Sequence, residues 1–70
     1  MFGDRVAKVR KNKRWSQADL AKRIGVSPST IGMYEQGRRE PCLSLLIALS
    51  RELNVSVQYL LTGEQITNLY

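Results

Sequence analysis

Residues 25–37 read GVSPSTIGMYEQG, and their reading decides the fold. Glycines at both ends, a proline near the start and another glycine in mid-run suggest a loop. Val26, Ile31 and Tyr34 suggest something ordered. Punctuation resolves the conflict. Gly25 is suited to the left-handed stop of a preceding helix. Ser27 followed by Pro28 is a start signal: serine caps, and proline fits the first helical position because its missing N–H would be unpaired anyway. Ile31 and Tyr34, three residues apart, then point toward a core, and Gly37 ends the run. The stretch is a turn followed by a short helix, Pro28 to Gln36.

Working outward, SQAD at residues 16–19 is close to a capping box, with Ser16 able to accept from first-turn amides and Asp19 at the positive end of the dipole. Leu20, Ala21 and Ile24 face inward along a helix of about two turns. Upstream, Phe2, Val6 and Val9 form one helical stripe that ends near Asn12 to Arg14. Downstream, the basic loop GRREP (37–41) leads to a fourth helix, about Leu43 to Leu53, with Leu46, Leu49 and Leu53 on its stripe and Leu45 or Ile47 beside it. Asn54 stops it, and Ser56 caps a last helix, VQYLL, that Gly63 terminates. There is no repeat, linker or strand-like alternation. The expected fold is all-α, a compact five-helix domain over residues 1–63, followed by a short tail at 64–70.

Seventy residues with 43% apolar side chains make one small folded unit rather than a disordered segment. One cysteine, Cys42, and no histidine leave no disulfide framework and no zinc site of the usual kind, so no metal or cofactor is expected. The longest apolar run, Leu45 to Leu49, is too short for a bilayer, and the charged start is no signal peptide. A soluble cytoplasmic protein follows as the expectation. Without histidine, and with few acids and no phosphate loop, the chain is not read as an enzyme. Cys42 is taken as a small residue near the start of the fourth helix rather than a nucleophile.

Charge is distributed unevenly. Residues 1–39 carry ten basic and three acidic side chains, whereas residues 40–70 carry one and three. Arg5, Lys8, Arg10, Lys11, Lys13 and Arg14 fall within ten residues that hold no acid. Such a patch attracts polyanions, nucleic acid before an anionic membrane surface. A membrane role would further need an amphipathic helix with aromatic insertion, which the first segment lacks.

Two short helices joined by IGVS (24–27) are what a helix-turn-helix requires, the second helix being free to enter a major groove. From Val6 to Leu61 the sequence resembles the lambda-repressor-like, or Xre/Cro-type, helix-turn-helix family. The resemblance rests on an ordered set: Ser16-Gln17 opening the second helix, Leu20-Ala21 within it, Gly25-Val26-Ser27 at the turn, Ile31, Glu35-x-Gly37, Pro41, and Leu53-Asn54-Val55-Ser56.

That resemblance implies a reading face for the third helix. Positions matching Pro28, Ser29, Gly32 and Met33 face base edges in the family, and Thr30 joins them by its hydroxyl. None is Arg, Asn or Gln, the residues that read guanine or adenine bidentately. Ser29 and Thr30 can hydrogen-bond a base or a phosphate, and Met33 and the Pro28 ring can touch a thymine methyl. Gly32 has two readings, close approach of backbone to the groove or a neutral surface glycine. Phosphate candidates are Gln17, which the family sets against the DNA backbone, together with Ser27, Gln36, Arg38, Arg39, Lys13 and Arg14. Lys8 and Lys11 are assigned to solvent and long-range attraction. Arg10 and Glu35 match a family ion pair between the first and third helices, with Arg10 offering one donor to a phosphate. Trp15 is assigned to corner packing rather than base stacking.

The function so implied is a sequence-specific DNA-binding transcriptional regulator of prokaryotic or phage type, a repressor. It would bind double-stranded DNA at a two-fold operator as a homodimer, with the third helix in the major groove. Leu43, Leu45, Val57, Tyr59, Ile66, Leu69 and Tyr70 are the expected apolar excess for pairing. The alternative is an antitoxin or adaptor that binds a protein partner and touches DNA secondarily.

Overall fold

The computed structural model describes residues 1–64. Five helices follow in order: α1 (Phe2–Asn12), α2 (Gln17–Ile24), α3 (Pro28–Gln36), α4 (Leu43–Leu53) and α5 (Val57–Thr62). Their core is Val6, Leu20, Ala21, Ile31, Tyr34, Leu49, Leu53 and Leu60, so every helix contributes at least one buried side chain. Burying each large aliphatic stabilises the fold by about 1.5–3 kcal/mol. α3 is wedged between α1 and α2, α4 backs α2, and α5 closes against α1 and α4.

The boundaries follow from local capping. Ser16 Oγ accepts the Asp19 amide at 3.0 Å while Asp19 Oδ2 accepts the Ser16 amide at 2.8 Å, a complete capping box. The Ser16 amide, with its hydroxyl, holds the Asp19 carboxyl below the usual carboxylate range. This support for α2 is present above that range and is lost as pH falls through the lowered value. Gly25 takes φ 78°, ψ 32°, a left-handed geometry that costs glycine nothing, and lets the Val26 amide donate to the Ala21 carbonyl at 3.0 Å. Ser27 and Ser56 cap α3 and α5 by the serine oxygen alone, accepting the Thr30 and Tyr59 amides.

Two details add to the sequence expectation. Beside the α4 stripe, Leu45 packs on the core whereas Ile47 is 37% exposed. Arg5, counted with the basic cluster, instead turns along the fold, where Nη1 donates to the Leu60 and Leu61 carbonyls at 3.2 and 3.3 Å. It thereby ties α1 to the end of α5, a helix of only six residues. The tail beyond Glu64, with Ile66, Leu69 and Tyr70, lies outside the described residues.

Gly3 sets how closely α1 meets α3. A Cβ there would lie 2.5 Å from the Tyr34 carbonyl oxygen and nearer still to that of Glu35, both backbone atoms that cannot swing aside. Gly3→Ala is therefore expected to destabilise the fold by about 1–3 kcal/mol, despite alanine's better helix propensity. Urea denaturation reads the difference directly.

Candidate nucleic-acid interface

α2 and α3 meet at the Gly25–Ser27 turn, and α3 buries only Ile31 and Tyr34. Its nine residues give a rod of about 13 Å, comparable with the roughly 12 Å width of a major groove. Pro28, Ser29 and Gln36 are exposed on it, and Thr30, Gly32 and Met33 are half-buried. The three hydroxyls at its start bond to one another. Ser27 Oγ lies 3.0 Å from Ser29 Oγ and 2.9 Å from Thr30 Oγ1, and it accepts the Thr30 amide at 3.3 Å. Ser27 is thus largely engaged as the cap, while Ser29 and Thr30 keep hydrogen-bonding capacity toward solvent.

Beneath α3 lies a charged cluster. Arg10 Nε donates to Glu35 Oε2 at 2.6 Å and Arg10 Nη2 to Glu35 Oε1 at 3.1 Å, the two side chains being 9% and 8% exposed. Arg10 Nη1 donates to the Trp15 carbonyl at 2.7 Å, and Gln17 Nε2 donates to Glu35 Oε1 at 3.0 Å. Three of the five guanidinium N–H groups of Arg10 have partners inside the fold, one on each nitrogen. The pair connects α1, the α1–α2 corner, the first residue of α2 and the end of α3. Its bidentate geometry orients more than it stabilises, because desolvating both charges offsets much of their attraction.

The basic side chains separate into groups. Arg14 is exposed at φ 61°, and Arg38 and Arg39 are exposed just past α3. Lys8 and Lys11 are also exposed, on α1. Lys13, by contrast, is half-buried, with Nζ 5.4 Å from the Trp15 ring centroid. Arg23 covers that ring at 4.0 Å and pairs with Glu52 at 3.6 Å. Trp15 is therefore a packed corner flanked by cations. Sequence reasoning missed Gly3, the Arg5 staple and the Gln17–Glu35 bond, none of which has a local signal.

A family model described as helix-turn-helix matches residues 6–60. The chain belongs to the lambda-repressor-like helix-turn-helix family. This helix-turn-helix domain is 41% identical over 64 residues to YqaE, an uncharacterized HTH-type transcriptional regulator of Bacillus subtilis (strain 168), covering 91% of this chain and 55% of that protein. To repressor protein C2 of Salmonella phage P22 it is 39% identical, covering 91% of this chain and 30% of the repressor. It therefore spans little more than half, or less, of the curated relatives it matches. The crystal structure of the P22 c2 repressor with synthetic operator 9T superposes with a TM-score of 0.89 at 39% identity, covering 91% of this chain and 97% of that one. SinR of Bacillus subtilis in complex with DNA gives 0.80 at 35% identity, with 87% and 98% covered. SinR has also been solved with SinI, at a TM-score of 0.81 and 35% identity, with 89% and 61% covered.

Two substitutions test the geometry. Glu35→Ala leaves the Arg10 charge buried without its partner and should cost about 3–5 kcal/mol of stability, with DNA binding lost in parallel. Loss of binding at an unchanged melting temperature would contradict the scaffold role. At Gly32 a Cβ would stand 3.6 Å from the nearest Gln17 atom, ordinary contact, so the fold does not require glycine. Gly32→Ala should raise stability by up to about 1 kcal/mol. A matching fall in duplex affinity is expected if the α3 backbone closely approaches the groove, and thermal melts beside titrations separate the two effects.

Proposed function

We propose that the chain is the DNA-binding unit of a sequence-specific transcriptional repressor that binds a two-fold operator as a homodimer, with α3 in the major groove. The observation that carries this reading is the likeness of the whole five-helix frame to a repressor solved on its operator. It is supported by an α3 whose outer face is left free by the fold.

Pro28, Ser29, Thr30, Gly32 and Met33 are proposed to face base edges. Gln17, Ser27, Lys13, Arg14, Gln36, Arg38 and Arg39 are proposed to face the DNA backbone, Arg14, Arg38 and Arg39 being the exposed cations among them. A face of hydroxyls, proline and methionine lacks bidentate readers. Thymine methyls and the deformability of the duplex then supply a large share of the specificity. Two-fold pairing follows from scale, since one short helix reads only a few base pairs and two half-sites multiply discrimination. Leu43 and Leu61, 71% and 53% exposed, are the apolar side chains of α4 and α5 most available for it, because Leu45 and Tyr59 pack on the core.

A second reading, an adaptor that also binds a protein, is favoured by one specific observation: SinR, similar over most of this chain, has been solved with SinI. Co-purification of a small partner with the chain, and loss of duplex binding on its addition, would establish that reading.

Selection of duplexes from a random pool should return an inverted repeat, with half-sites about one helical turn apart. Unrelated sequences would overturn sequence-specific recognition. With about four to eight basic contacts per dimer, the log–log slope of affinity against salt should be roughly −4 to −7. A flat response would contradict this mode of binding. Sedimentation on the selected duplex should show two chains per site, and one chain at saturating concentration would remove the homodimer.

A further inference from the structure

The Glu35 carboxylate makes one bond more than its ion pair needs. Oε2 accepts Arg10 Nε at 2.6 Å, and Oε1 accepts both Arg10 Nη2 at 3.1 Å and Gln17 Nε2 at 3.0 Å. Gln17 is the first residue of α2, where free backbone amides already favour an anion. Its side-chain amide also lies over Gly32. A Cβ at that position would be 3.6 Å from Oε1, 3.7 Å from Nε2 and 3.9 Å from Cδ, so all three amide atoms sit above one glycine. The amide is thus held on one side by a buried carboxylate and faces, on the other, the place where Gly32 carries no side chain. Rotamer freedom that an exposed glutamine surrenders on meeting a ligand is surrendered here during folding.

We propose that Glu35 is a positioning residue for DNA binding: it holds the Gln17 amide with one N–H inward and the other free for a DNA phosphate. The inference rests on the DNA-binding reading above and adds a dependence that reading lacks. Gln17 contributes to affinity only while Glu35 holds it, and Glu35 is itself held by Arg10 on α1. The first helix, which presents no base-reading group, therefore takes part in the contact through two side chains.

A double-mutant cycle tests this on the duplex selected by the wild-type chain. Gln17→Ala should weaken wild-type binding about tenfold, the scale of a hydrogen bond to a charged group. Arg10→Met with Glu35→Met exchanges the ion pair for apolar side chains, a replacement that is often neutral for stability, and a thermal melt of this background checks that the fold is kept. In that background Gln17→Ala should change affinity less than about twofold, because an unheld amide has to be ordered at binding. An equal loss in both backgrounds would overturn the positioning role while leaving DNA recognition intact. No loss in the wild type would remove Gln17 from the contact, and failure to retain any duplex would overturn the DNA-binding reading itself.

The free wild-type chain gives a second measurement that needs no variant. By NMR, the Gln17 side-chain NH2 group should exchange with solvent more slowly, and be more ordered, than those of the exposed Gln36 and Gln58. Equal behaviour of the three would overturn the proposal.

Discussion

The arrangement depends on one buried guanidinium and one buried carboxylate. Arg10 and Glu35 come from α1 and α3, 25 residues apart, and their bonds fix the angle at which α3 leaves the scaffold. Charges taken out of water are expensive when alone, so the pair tolerates few alternative packings. The Trp15 carbonyl, accepting from Arg10, ties the α1–α2 corner to the same point, and the capping box that begins α2 follows one residue later. Gly3 allows the backbone approach that lets α1 lie against the last turn of α3. Remove one partner alone, and an unpaired buried charge is left where the corner, the start of α2 and the end of α3 meet.

On this base sits α3, the proposed reading helix, with small chemistry. Its hydroxyls are bonded among themselves at the N-terminus, and its middle carries a glycine and a methionine. Such a face recognises shape and methyl groups better than donor–acceptor patterns. The positive charge is less concentrated than the composition implies. Arg5 is used inside the fold and Lys13 and Arg23 flank Trp15, leaving Arg14, Lys22, Arg38 and Arg39 as exposed cations on or beside the helix-turn-helix. In the proposed docking, phosphate contact then falls to side chains on both flanks of α3 and to Gln17.

Much of the fold was legible because helix ends are written locally. Ser16, Ser27 and Ser56 at the starts, with Gly25, Gly37, Asn54 and Gly63 at the stops, occupy the cap positions that short-range patterns indicate. Core positions were equally readable from spacing, as with Val6, Ile31 and Tyr34. What escaped lies in contacts between distant residues. Nothing around Gly3 distinguishes it from any helical glycine, and its need appears only when Tyr34 and Glu35 are placed beside it. Arg5 reads as one cation among six, yet its acceptors are 55 and 56 residues away. The Gln17–Glu35 bond joins two helices at a separation no helical period encodes. The Arg10–Glu35 link was available only through family resemblance.

The most direct measurement is an amide-resolved NMR titration of the chain with its selected duplex. Shifts should concentrate on Gln17, on Ser29 to Met33 and on Arg38 and Arg39, with those on α4 and α5 restricted to the pairing surface around Leu43 and Leu61. Shifts confined to α4 and α5, with α3 silent, would contradict major-groove docking by this helix.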